Sequence, residues 1–357
     1  MDRVWTAIEY GSEFPIEIGR GAPLADGGGF VYVRSGRDAL RLVARALRDS
    51  GVDAVLMPCY CCECMEWPFS DEGVRVIYYR VLKGLRVDVA DIAEKAAANR
   101  GAALLYMHYF GLPSIERGDL VELKEKYSLR VIRDVTHDML DYDFKEGSSV
   151  DDFAVSSLRK WAGLPEGGLV FSTGTDLPSV AVSDDRYEVL RREAMATKRR
   201  YLEMADDSLK PLYLDELAQC NNLLDQLRTT SGMGGESRIL GGGVDWLQAA
   251  KTRRENSSLL AQGLDALGVH YYHCPGSAPL WVSFIPGCNR DELQKSLSSF
   301  GLYCPYLWPI PESARGCSPY IDDFVGSMLC LPCDQRYDSE DVARMLEILA
   351  MCLKEAA

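Results

Sequence analysis

The sequence predicts an α/β protein: a three-layer large domain on a mostly parallel sheet, followed by a smaller α+β C-terminal domain. Three observations carry this. Short, near-continuously apolar runs alternate with stretches of helical period through the first half, the mark of strand–helix–strand units buried on both faces. At 357 residues the chain is too long for one small core and suits two packed parts. The last third then turns to short strands, prolines and one long closing helix. The expected boundaries are 20–235 for the large domain and 236–357 for the small one, with residues 1–19 placed against the latter.

In chain order, "RDALRLVARALRDSG" sets Leu40, Val43, Ala44 and Leu47 on one helical stripe, with Gly51 as its stop. "DAVLMP" and "VRVIYY" are buried strands. "DVADIAEKAAANRG" predicts a helix from Asp88 to near Gly101. "AALLYMHYFG" reads as a strand, "ERGDLVELKEKYS" as a helix and "LRVIRD" as a strand again. "DDFAVSS" and "GLVFST" are two more strands separated by a loop. A long helical region spans about 184–227. The stretch "SGMGGESRILGGG", 231–243, reads as a mobile loop or boundary. "VDWLQAAKTRRENSSLLAQGLDALG" is a helix, and "LWVSFIP", "LYCPYLWPIP" and the helix "SEDVARMLEILAMCL" complete the smaller part. No internal repeat or low-complexity tract is present.

The net charge of −14 argues against a nucleic-acid backbone or an anionic membrane as the main partner. Arg186, Arg191, Arg192, Lys198, Arg199 and Arg200 interleave with Glu188 and Glu193, so they read as a solvated or subunit-facing helix. The opening residues lack a basic-then-apolar signal pattern, and no run approaches the roughly 18 apolar residues of a membrane span. The expected location is the cytoplasm, with the twelve cysteines mostly reduced.

Ligands of such sheets sit at the carboxyl ends of the strands. Three strand ends stand out. In "VRSGRDAL" a strand meets a helix through Ser35, Gly36 and Arg37, a turn whose free N–H groups suit a phosphate. Many helices start this way. In "VIRDVTHD", Asp134 ends a strand and His137 follows; an acid there can hold a protonated pyridine nitrogen, or merely cap a helix. In "FAVSSLRKWAGLPEGGLVFS", Ser156, Ser157 and Lys160 lie between a strand and a Gly-Gly turn. Lysines number eleven against 28 arginines, so a lysine in this apolar frame is less expected as a mere surface loop residue. Such a lysine loses its proton readily and forms Schiff bases. Lysine, acid and phosphate cup are the parts a pyridoxal-phosphate enzyme needs.

Beyond these residues, the chain resembles the DegT/DnrJ/EryC1 sugar-aminotransferase family of pyridoxal-phosphate enzymes, of aspartate-aminotransferase-like fold (fold type I). "SGRDALRLVARAL" is similar to its phosphate-loop helix, "VLMPCYCC" to the strand and turn beside the cofactor ring, and "YMHYFGLP" to its His-containing strand. "IRDVTHD" resembles its Asp-x-x-His/Gln motif, "SSLRKWAGLPEGGLV" its lysine and Glu-Gly-Gly, and "LPCDQRY" a late strand end. The likeness spreads over most of residues 30–350, with its specific motifs between 35 and 170.

The resemblance implies that Lys160 carries pyridoxal 5'-phosphate as a Schiff base, that Asp134 pairs with the pyridine nitrogen, and that His137 lies near the phenolic oxygen or the substrate. Ser156 or Ser157 and the Ser35–Gly36–Arg37 turn would hold the phosphate, with His108 on the neighbouring strand as a further cofactor contact. It also implies a homodimer with sites at the interface, glutamate as amino donor and a nucleotide-linked keto sugar as acceptor. The chain departs from the pattern in three places. Val155 stands where the family serine usually does, Cys62 replaces the usual ring aromatic so that Tyr60 is an alternative stacker, and the partner's Asn loop has no counterpart unless "GGESRIL" with Arg238 replaces it. The retained lysine disfavours the dehydratase branch, which carries His there. Elimination or decarboxylation on the same cofactor, or a non-catalytic cofactor sensor, are the competing readings.

"PCYCCEC" crowds Cys59, Cys61, Cys62 and Cys64 into seven positions. Zinc sites usually pair two short ligand pairs across a loop. The second pair here is restricted to Cys330 and Cys333 in "CLPC", which precedes the final helix and does not open a redox βαβ unit. The expectation is no metal, with Tyr60 or Cys62 at the cofactor ring and the other cysteines as small buried hydrophobes.

Overall fold

The apolar runs of the first half form one seven-stranded sheet. In the computed structural model, which describes residues 9–147, 149–172, 174–175 and 177–356, these strands begin with β1 (Phe30–Val33), β2 (Ala54–Pro58) and β3 (Arg75–Tyr79). A short hairpin of β4 (Val81–Leu82) and β5 (Arg86–Val87) follows. The sheet resumes with β6 (Ala103–Met107), β7 (Arg130–Asp134), β8 (Phe153–Ser156) and β9 (Gly168–Ser172). Their order is β1-β9-β8-β7-β6-β2-β3. Neighbours from β3 to β8 are parallel, and β9 alone runs antiparallel to both strands beside it.

Every residue of β2, β6, β8 and β9 is buried, which is why these strands lack polar alternation. The Gly36–Asp49 helix packs on β1, β8 and β9, burying Leu40, Val43, Ala44 and Leu47. The Val89–Ala98 helix covers β2 and β3 and starts where Asp88 caps it, accepting from the Asp91 N–H. Pairing of Met107 with Asp134, and of Asp134 with Val155, sets the ends of β6, β7 and β8 side by side.

The expected 184–227 region is a hairpin of two helices, Arg186–Met204 and Leu209–Gln226. Its basic face is only partly solvated. Arg186 and Arg200 are exposed, but Arg191 and Lys198 are buried, because Glu13 and Glu9 from the N-terminal segment pair with them. The 231–243 stretch also departs from expectation: Gly235–Gly243 is a helix. Its last glycines serve close approach, since a Cβ at Gly242 would meet the Ala22 carbonyl oxygen at 1.8 Å and one at Gly243 the Gly19 carbonyl carbon at 2.7 Å.

The Trp246–Leu267 helix leads to a second, antiparallel sheet of β10 (His270–Tyr272), β11 (Trp281–Ile285) and β12 (Leu329–Pro332), in that order. The closing Ser339–Ala356 helix covers it with Val342, Met345, Ile348 and Leu349, and Tyr10 joins the same core. No helix among the described residues is long and apolar enough to cross a membrane.

Candidate active site

Two cavities meet at the carboxyl ends of β6, β7 and β8. The inner one, about 260 Å³, is lined by Gly36, Cys62, Asp134, His137, Ser156 and Lys160, among others. The outer one, about 510 Å³, shares Arg159, Lys160 and Trp308 with it. Lys160 stands at the junction. Its side chain is exposed, so the apolar frame expected from sequence surrounds the inner cavity and leaves the lysine itself open; its Nζ lies 5.9 Å from the Trp308 ring centre.

Asp134 ends β7 and is buried. Its Oδ1 accepts the Thr136 N–H at 2.8 Å. Burial raises its carboxyl above the ordinary carboxylate range, against the pull of Thr136 and Lys160. A cationic N–H donor beside it would favour the ionised form. His137 is fully buried between Phe110 and Trp308. Burial, reinforced by Lys160, pushes its ring down to about 3, so it is neutral. Since Nδ1 accepts the Phe110 N–H at 3.3 Å, the ring proton belongs on Nε2, which is buried without a partner.

The floor is the start of the Gly36–Asp49 helix. The Ser35 hydroxyl is spent on capping, exchanging hydrogen bonds with Asp38. The N–H groups of Gly36 and Arg37 have no acceptor within the helix. Gly36 fits tightly: a Cβ there would stand 3.2 Å from Ser157 Cβ, which would have to give by a few tenths of an ångström. The Arg37 side chain pairs with Asp225, lies over Trp67 and also acts on Cys64, which lines the cavity. Ser156 Oγ is buried with no partner beside this floor. The Glu-Gly-Gly turn supports it from behind, since β9 passes Ser35 so closely that a Cβ at Gly168 would lie 2.1 Å from the Ser35 carbonyl oxygen.

Of the two candidates for the ring face, Cys62 lines the cavity. Tyr60 is buried beneath, stacked on Tyr109 at 4.8 Å, and donates to the Leu307 carbonyl. His108 lies outside the lining, in a network with Arg133 and Asp138. Arg238 is tied within its own chain to Asp26 and to the Leu24 and Tyr32 carbonyls.

Cys62 and Cys64 lie Sγ to Sγ at 3.0 Å. The Cys64 thiol is lowered to about 6 by its hydrogen bond with Cys62, and by Arg37 and Lys160, against burial. Among the described residues no group of three or more His, Cys, Asp or Glu side chains gathers as a metal site, and all twelve cysteines are free thiols. Cys330 and Cys333 are buried at β12, away from the 59–64 turn's cavity. Sequence reasoning missed Trp308, which arrives from the C-terminal part to cover both cavities, and the segment Gly11–Phe14, which lines the outer one. The Trp-Pro pair in "PYLWPIP" is a local signal for a fixed aromatic, but its position came from tertiary packing.

Glu166 of the Glu-Gly-Gly turn is buried, and its Oε2 accepts the Gly234 N–H at 2.6 Å. Burial raises its carboxyl to about 7, and nearby Glu188 adds to this. The folded state therefore binds a proton more tightly than the unfolded one, whose carboxyl sits near 4.5. That contribution to stability is complete below about pH 4.5 and is lost as pH rises to about 7. Glu166→Gln is expected to gain on the native protein across that window, by at most about 3 kcal/mol at about 1.4 kcal/mol per pH unit. Urea unfolding at both pH limits measures it; equal gains at both would remove Glu166 as the titrating group.

The site fits pyridoxal phosphate: a buried acid at a strand tip, an unpartnered His Nε2 and Ser156 Oγ, a helix start for an anion, and an accessible lysine. No protein-family model and no curated protein matches the sequence. Solved structures do match. The PLP-form of Spr1654 from Streptococcus pneumoniae is 12% identical, covering 98% of this chain and 100% of that one at a TM-score of 0.67. A DegT DnrJ EryC1 StrS aminotransferase from Brucella abortus is 15% identical, covering 90% and 84%, at 0.59. DesI, solved in the presence of its TDP-sugar product, is 16% identical, covering 91% and 80%, at 0.62. The chain has the fold of these proteins, the α/β fold expected from its sequence.

Proposed function

We propose that this chain is a pyridoxal-phosphate-dependent aminotransferase that moves an amino group from an amino donor, glutamate, to a keto acceptor, a nucleotide-linked keto sugar. The observation that carries it is the convergence of Asp134, His137, Ser156 and Lys160 on one cavity at two adjacent strand ends. Neighbours of like fold that are aminotransferases, one solved with a TDP-sugar product, support the donor–acceptor chemistry. A homodimer belongs to the same reading, as does the division into a cofactor-binding part, residues 20–235, and a smaller part, residues 236–357.

When bound, the cofactor supplies an electron sink for a carbanion at the substrate carbon. Lys160 would tether it, and once the substrate amine takes its place the freed Nζ would move the proton at that carbon. Asp134 would keep the ring nitrogen protonated. His137, neutral, would donate its Nε2–H to an oxygen on the ring or the substrate. Ser156, Ser157 and the N–H groups of Gly36 and Arg37 would hold the phosphate, and Trp308 would exclude water from above.

The test is the absorbance of the protein with pyridoxal phosphate. A yellow band bleached by borohydride, with the label on the Lys160 peptide, is expected, as is loss of the band on adding glutamate. Binding with no response to any amino donor would move the reading to a non-catalytic sensor, and failure to bind at all would end it.

A further inference from the structure

The outer cavity is cationic in an acidic protein. Arg159, Lys160, Arg191, Arg253 and Arg336 line it against two carboxylates, Glu13 and Asp334, while the chain as a whole carries −14. Most of these charges are already engaged. Arg336 is held bidentately by Asp334 at 2.7 and 2.8 Å. Arg253 is fixed by the Pro279 and Leu280 carbonyls and by Gln335. Lys160 belongs to the reaction. Arg159 and Arg191 remain.

Both are incompletely partnered. Arg159 donates to the Tyr187 hydroxyl, no carboxylate among the described residues forms an ion pair with it, and its Nε is buried without an acceptor. Arg191 is 5% exposed, its Nε equally orphaned, and it meets Glu13 Oε2 at 3.0 Å. Burial and the neighbouring Arg191 charge both disfavour the charged form of Arg159, so an anion near the two would relieve the site. Glu13 is the carboxylate now seated there. Although burial opposes its ionisation, Arg191, Lys198 and Arg159 hold its carboxyl below the usual range. Yet its side chain is 51% exposed, on a segment that itself lines the cavity. A carboxylate that takes its place at Arg191 leaves no buried charge unpaired, and the exposed Glu13 returns to water.

We propose that Arg159 and Arg191 form the seat for a carboxylate of the substrate, and that Glu13 occupies this seat until the substrate displaces it. The substrate that reacts at Lys160 is then an acid, and the planar guanidinium fork suits a carboxylate in particular. Assignment to a substrate rests on the aminotransferase reading; the seat itself does not.

The test is calorimetric titration of succinate into the holoenzyme and into the protein without added cofactor, which needs no turnover. Arg191→Gln and Arg159→Gln are each expected to weaken succinate binding by about tenfold or more, and Glu13→Gln to tighten it several-fold. The opposite signs separate a seat from a structural strut, because removing either half of a strut would disturb the cavity alike. Glu13→Gln, at a half-exposed position, keeps the test open even if an arginine variant folds poorly. If glutamate conversion of the cofactor slows in the arginine variants, the carboxylate is the donor's; if that step is unchanged while succinate binding is lost, it is the acceptor's. Native protein that does not bind succinate, or equal affinity in all three variants, would overturn the proposal. A chain that binds succinate but never takes up cofactor would keep the seat and lose the aminotransferase reading.

Discussion

Lys160→Ala is expected to lower amino transfer by about 10⁴-fold, because one side chain would both tether the cofactor and move the proton at the reacting carbon. The geometry behind this is specific. Lys160 is the cationic residue common to the two cavities apart from Arg159, and Arg159 is fully ionised over the working range of a general base. Among the described residues no other lysine lines either cavity. The measurement is a single-turnover rate with glutamate as donor, together with the absorbance of the variant incubated with pyridoxal phosphate. The expected variant binds cofactor through Asp134, Ser156 and the helix start, but shows no borohydride-stable label. A rate within tenfold of the native protein would place the proton transfer on another group.

Asp38→Asn is expected to cost about 3–5 kcal/mol of stability, the usual consequence of leaving a buried charge without its partner. Arg34 and Asp38 are each 1% exposed and joined at 2.7 Å. The same carboxylate also takes the Ser35 hydroxyl and the Ser231 N–H. One acid thus ties β1, the first turn of the Gly36–Asp49 helix and the segment leading to Gly235. Asparagine keeps the shape and one acceptor oxygen but removes the negative charge, leaving the buried Arg34 guanidinium with only neutral acceptors, the amide oxygen and the Thr229 carbonyl. Urea unfolding reads the loss, and cofactor affinity should fall with it because the cavity floor starts at Ser35. A cost under about 1 kcal/mol would show that neutral acceptors suffice for Arg34.

Much of the fold was legible because burial on both faces writes itself into sequence as unbroken apolar runs, as in Val55–Met57 or Leu104–Met107. Asp134 and Lys160 were legible for a related reason. A carboxylate and a rare lysine directly after such runs are where a parallel sheet exposes its ligand-binding edge. The antiparallel course of β9 was not legible, since a short buried strand reads alike in either direction. The glycines of 231–243 misled because composition does not distinguish a glycine needed for freedom from one needed for close approach. Gly242, pressed on Ala22, is of the second kind. Arg191 and Lys198 misled likewise: their helix looks solvated until Glu9 and Glu13, some 180 residues earlier, close over it.

By itself, then, the sequence determined the strand–helix alternation, the parallel sheet and the residues at its strand ends, since each depends on local period and local chemistry. Tertiary structure decided what faces what. It put Cys62 in the cavity and Tyr60 in the core, spent the Ser35 hydroxyl on a cap, brought Trp308 over Lys160, and set Glu13 against Arg191. These are contacts between residues far apart in the chain. Their energies come from packing and charge pairing that no local window of sequence contains.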